Sequence, residues 1–157
     1  MKVVDYVADS AKQAAVAAFK YAAAVPSEKL EWVPLEGGRS VLSIVRELAM
    51  TPTWQYDTLA GPPTEWSETA WAEQNAMMSQ WTTLEECRGQ FDARFEKLEA
   101  YVRALPEERF TETKWLPYEG GRDFTVLEML DYTRWNCTYH QGQIAYIQLL
   151  YGDKDMH

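Results

Sequence analysis

One connection occurs twice in this chain. Trp32-Val33-Pro34-Leu35-Glu36-Gly37-Gly38-Arg39 aligns with Trp115-Leu116-Pro117-Tyr118-Glu119-Gly120-Gly121-Arg122. Upstream, Val25-Pro26-Ser27-Glu28 matches Leu105-Pro106-Glu107-Glu108; downstream, Ser40-Val41-Leu42 matches Thr125-Val126-Leu127 after two extra residues. Each copy joins two long segments of helical periodicity, so the chain reads as a helix pair repeated. A helix with one apolar stripe must cover it, and two such pairs do so by packing together. The expectation is an all-α four-helix bundle of two duplicated helix pairs, spanning residues 1–157 as one domain.

The first helix is expected from Tyr6 to Ala24, with Val7, Ala11, Ala14, Ala18 and Ala22 on a stripe narrow enough for close approach of a partner. The second starts after Ser40, an N-cap, and presents Val41, Ile44, Val45 and Leu48; Pro52 is expected to kink or end it. The third opens on the capping-box pattern Thr83-x-x-Glu86 and runs through Phe91, Phe95, Leu98 and Val102 to Leu105, before Pro106. The fourth opens on Thr125-x-x-Glu128. It carries Val126, Leu130, Thr133, Cys137, His140, Ile144, Ile147 and Tyr151 as one continuous seam to Gly152. No strand pattern competes over a comparable length. The Gly-Gly turns precede helices but are followed by no Gly-Lys-Ser/Thr and follow no strand, so they read as turns with positive φ rather than phosphate loops.

Gly61 to Trp81 differs from the rest. It holds Pro62-Pro63, Trp66, Trp71, Met77, Met78 and Trp81, with a short helix expected over Ser67 to Met78. Such an insertion reads first as a cap on one end of the core. A pocket lid or half of a dimer face are the other readings.

Composition narrows the function. With 24 acidic and 15 basic residues the chain carries a formal charge of −9, which argues against duplex DNA, other nucleic acid and an anionic membrane as partners. No N-terminal apolar run resembles a secretion signal, and no stretch is apolar enough to span a bilayer; a cytoplasmic protein with reduced thiols is expected. Two cysteines, Cys87 and Cys137, make neither a disulfide framework nor a cysteine-only zinc site. Two histidines, His140 and His157, forbid any three-histidine site within one copy of the chain.

The fourth seam is apolar at its ends and polar in the middle, at Thr133, Cys137 and His140. Asn136 lies one helical turn before His140 on the same side, and Tyr132 extends that side by another turn. A polar island in a bundle seam costs stability unless its groups are paired. It is read either as a hydrogen-bonded core cluster or as a ligand site. Cys137 sits where small buried side chains pack.

The stretch Tyr139-His140-Gln141-Gly142-Gln143-Ile144, near the end of the last helix, resembles the His-Arg-Gly-Gln-Ile signature of the DinB-like superfamily. Pro34 through Gly38, then Ser40-Val41 and Glu47-Leu48-Ala49, is similar to that family's Pro-x-x-Gly-Gly-x-Ser-Val leading to a His-Leu pair. The resemblance covers most of the chain. It implies a four-helix bundle, a homodimer, and a divalent metal, zinc or nickel, held by one histidine of the second helix and two of the last. It also implies low-molecular-weight thiols, such as mycothiol or bacillithiol, as co-substrates of characterised relatives. Carried across, His140 stands at the last histidine, Asn136 at the middle one and Glu47 at the second-helix one. Glutamate is a competent oxygen ligand, but an asparagine carbonyl binds first-row metals poorly.

Two functions follow. In one, Glu47, Asn136 and His140 hold a weakly bound divalent metal in a thiol S-transferase or hydrolase-type enzyme, with the segment around Trp66 and Trp71 shaping the substrate pocket. In the other, the metal site is altered or lost. Glu47 and His140 then pair across the bundle with Asn136 and Tyr132 completing the network, and a small molecule binds between helices two and four. Replacement of two of the three histidines favours the second.

Overall fold

In the computed structural model, residues 2–62, 67–118 and 120–157 are described; Pro63 and Trp66 of the insertion and Glu119 of the second linker lie outside them. Four long helices form the bundle: α1 (Val3–Ala23), α2 (Val41–Ala60), α4 (Leu84–Ala104) and α6 (Tyr132–Leu150). Between them come α3 (Glu68–Met78), a hairpin of β1 (Thr113–Leu116) and β2 (Arg122–Thr125), and the short α5 (Val126–Leu130). Helix α1 packs chiefly on α6, and α2 packs on both α4 and α6. Among the described residues no helix is long and apolar enough to cross a membrane.

The helices form where their sequences dictate. On α1 the buried stripe is Val4, Ala8, Ala11, Ala15, Ala18 and Ala22, and these small side chains let α6 lie close along it. Ser40 caps α2, its Oγ accepting from the Ser43 amide at 3.2 Å. Both capping boxes close, Thr83 with Glu86 and Thr125 with Glu128. Phe91 stacks on Phe95 and meets Phe19 edge-on, with ring centroids 5.4 and 5.7 Å apart. Each such ring taken out of water contributes about 2–3 kcal/mol.

Pro52 does not end α2. The helix runs on to Ala60 because Met50, Thr51, Gln55 and Leu59 are buried around and beyond the proline. That packing offsets the lost hydrogen bond.

Two expectations need correction. The strand-free second linker is in fact a hairpin, with Thr113 opposite Thr125 and Leu116 opposite Arg122. Strands of four residues are too short to leave a periodic signal. The two extra residues, Asp123 and Phe124, give this copy of the linker a length the first copy lacks. Its turn uses Gly120 and Gly121 at φ 84° and 86°. At Gly121 a Cβ would lie 2.7 Å from Trp115 Cζ2, so the indole seals the turn against bare backbone. In the first copy only Gly37, at φ 71°, has positive φ.

The fourth helix is also not continuous. It breaks at Asp131 into α5 and α6. The break is stitched from α2: the Gln55 side-chain amide donates to the carbonyls of Met129 and Leu130 at 3.0 and 2.7 Å. Its oxygen accepts from the Thr133 amide at 3.1 Å and from the Thr133 hydroxyl. One buried glutamine thus answers groups that the interrupted ladder leaves without partners.

The insertion divides between core and surface. Met78 and Trp81 are buried, while Trp71 and Met77 stay exposed. Helix α3 is held to α2 by the Trp54 Nε1–H, which donates to Gln74 Oε1 at 2.8 Å, and by Trp54 and Trp71, whose centroids are 6.1 Å apart.

Candidate functional site

On α2, Glu47, Thr51 and Gln55 recur every four residues and share one side of the helix. Opposite them on the antiparallel α6 stand His140, Asn136 and Thr133, and the two rows pair rung by rung. His140 Nε2 lies 2.9 Å from Glu47 Oε1. Asn136 Nδ2 donates to Thr51 Oγ1 at 2.7 Å, and the Thr51 hydroxyl donates onward to the Glu47 carbonyl at 3.1 Å. Thr133 bonds to Gln55 as described above. His140, Asn136, Thr133, Thr51 and Gln55 are all buried, so the pairing removes what would otherwise be a series of desolvated polar groups.

The Glu47–His140 rung extends in both directions. Glu47 Oε2 takes an ion pair from Arg39 Nη1 at 2.6 Å, and Arg39 Nη2 donates to the Ser43 carbonyl at 2.9 Å. His140 Nδ1 lies 2.7 Å from Gln143 Oε1. Both ring nitrogens therefore lie within hydrogen-bond distance of a side-chain oxygen. The carboxylate has one cationic partner on one oxygen and the imidazole on the other. Burial by itself raises the Glu47 carboxyl, but the hydrogen bond from His140 and the charge of Arg39 outweigh it and bring the group to about 2.

The sequence-predicted residues separate accordingly. Glu47 and His140 come together. Asn136 turns its amide to Thr51 and bonds neither of them, and Tyr132 hydrogen-bonds to none of the three. Tyr132 nonetheless lies in their field: burial first, then nearby Tyr118 and Glu47, push its hydroxyl above the usual phenol range. Cys137 is fully buried, and burial pushes its thiol up to about 12, as expected of a packing residue. The sequence reading gives no site role to Arg39, Gln143, Thr51 or Gln55. The signal for the last two was present as polar residues one and two turns beyond Glu47 on an otherwise apolar helix face.

As a metal centre this donor set is poorly matched. Among the described residues no three His, Cys, Asp or Glu side chains converge on one point. Both carboxylate oxygens of Glu47 are engaged, and the guanidinium already stands where a cation beside that carboxylate would go. A divalent ion there would face an arginine at contact distance. The amide of Asn136 presents its nitrogen to Thr51.

Two cavities flank the cluster, and Arg39 lines both. One, of about 570 Å³, lies between the approach to α2 and α6, bordered by Leu35, Tyr139, Gln143, Tyr146 and Leu150. The other, of about 390 Å³, lies between α2 and α3, where Ser43, Arg46 and Glu47 face Trp71, Asn75 and Ser79.

The sequence pattern of the DinB superfamily matches residues 11–144. Among solved structures, YfiT from Bacillus subtilis, described as a probable metal-dependent hydrolase with an unusual four-helix bundle topology, superposes with a TM-score of 0.74. The match is 17% identical and covers 97% of this chain and 90% of that one. A conserved protein from Enterococcus faecalis superposes with a TM-score of 0.70 at 16% identity, over 96% of this chain and 97% of that one. No functionally curated protein gives a significant match.

Proposed function

The chain belongs to the DinB superfamily, and on that premise we propose that it is a member whose metal position has been taken over by its own arginine, leaving a bundle that binds a small molecule without metal. The observation that carries this reading is the chain of contacts Arg39–Glu47–His140–Gln143, in which the two residues that the resemblance sets at ligand positions hydrogen-bond to and orient each other. A charge-assisted pair of this kind replaces the need for an ion at the polar island. The groove between the approach to α2 and α6 supports this reading, since Tyr139, Tyr146 and Leu35 offer apolar walls and Gln143 and Arg39 offer polar anchors for such a ligand.

A second reading is a divalent-metal-dependent thiol S-transferase or hydrolase-type enzyme acting through Glu47, Asn136 and His140. It draws on the description of the Bacillus subtilis relative and on the seat of His140. It requires Arg39 to swing away from Glu47.

Thermal melting separates the two. The protein is melted with zinc, nickel or manganese in turn, and separately with a panel of small thiols and other small organic molecules. A binder of the native state raises Tm by mass action. The proposal expects a rise with an organic ligand, abolished by Tyr146→Ala, and none with metals. A rise with metal that disappears in His140→Ala overturns it.

A further inference from the structure

Arg46 stands on α2 immediately before Glu47. Its Nε donates to the Trp81 carbonyl at 2.7 Å, which fixes the side chain and leaves its two terminal nitrogens as a fork. It has no acidic partner among the described residues, although the chain carries a net charge of −9. The other two charged residues lining the smaller cavity pair with each other, Arg39 with Glu47 at 2.6 Å. The cavity between α2 and α3 therefore holds one guanidinium in excess, half-buried and unpaired. Partial burial of a charge is costly until a counter-charge arrives.

We propose that this cavity is a binding site for a small organic carboxylate with an aromatic body. The planar guanidinium fork of Arg46 matches a carboxylate in two parallel hydrogen bonds, a geometry that a point cation does not offer. Ser43, Asn75 and Ser79 border the same space with hydroxyl and amide groups, and Trp71 and Met78 supply a polarisable wall for a ring. A volume of about 390 Å³ falls at the small end of the ligand-pocket range, about 300–1,000 Å³. Trp71 is half open to solvent and belongs to the only bundle-flanking helix whose described face buries a single residue, Met78. Such a helix adjusts over a ligand at little cost in core packing. The site does not depend on the metal-free reading, because Arg46 is held by the Trp81 carbonyl and takes no part in the contacts among Arg39, Glu47 and His140.

The test uses the full chain and phenylacetate as probe, with phenylacetamide as its uncharged counterpart and phenyl phosphate as an alternative anion. Binding is read by tryptophan fluorescence and by calorimetry at low ionic strength. Saturable binding of phenylacetate, with phenylacetamide at least about tenfold weaker, supports the site. Asn75→Asp places a negative charge at the exposed rim without removing any bond, and it should weaken phenylacetate by about tenfold while leaving Tm unchanged. Arg46→Gln should abolish binding. Equal binding of acid and amide, tighter binding of phenyl phosphate than of phenylacetate, no binding at millimolar phenylacetate, or no effect of Asn75→Asp overturns it.

Discussion

His140 holds Glu47 across the bundle at 2.9 Å while Arg39 takes the other oxygen of the same carboxylate at 2.6 Å. The pair joins α2, which follows the first Gly-Gly linker, to α6, which comes after the second linker and α5, so the two halves of the duplicated chain meet at this point. Its consequences are electrostatic first. A carboxylate sharing two donors is stabilised as the anion, and folding is then linked to proton concentration.

Acid sensitivity follows from that linkage. The folded-state value of Glu47 is about 2 against 4.5 for the free group. With the folded value depressed, the unfolded chain binds the proton first as pH falls. The stabilisation is therefore complete above about pH 4.5 and is lost as pH drops towards about 2. The loss should be on the order of 3 kcal/mol. Urea unfolding midpoints across this window measure it, and Glu47→Gln should be less stable at neutral pH yet show a flatter acid limb.

Gln55 makes a different kind of prediction. Its amide satisfies two carbonyls of α5 and its oxygen serves Thr133, all in the core. Gln55→Leu keeps the volume but orphans these groups, and it should cost about 3 kcal/mol or more. Hydrogen exchange should speed up at the Thr133 amide before it does so in the middle of α4.

The cysteines should be inert. Burial pushes the Cys87 thiol up to about 11 and Cys137 to about 12, so neither supplies thiolate at neutral pH. A chromogenic disulfide reagent should label neither in the folded protein and both after denaturation. Fast labelling of Cys137 in the native state would show that the seam opens.

Much of this architecture was legible in the sequence. Ser40 and both capping boxes marked three helix starts, and the spacing of Phe91, Phe95, Leu98 and Val102 marked a buried face. The pairing of Glu47 with His140 was legible because each stood at a position that the family resemblance named. The break at Asp131 was not, because no local residue signals it: the group that makes it tolerable, Gln55, is more than seventy residues away along the chain. Nor was the part played by Arg39. Arg39 and Arg122 occupy equivalent places in the repeated linker. However, Arg39 precedes its cap residue directly and turns inward to Glu47, whereas Arg122 reaches Glu128 at 3.0 Å on the surface. Two inserted residues decide between these fates, and only packing reveals it.

The direct test of the arginine's replacement of the metal is elemental analysis. Untagged protein, purified without chelator, is dialysed to equilibrium against zinc, nickel or manganese and its bound metal is counted per chain. A site held by Arg39 should retain far less than one ion per chain, with no difference between the wild type and His140→Ala. One ion per chain in the wild type, lost in His140→Ala, would contradict it.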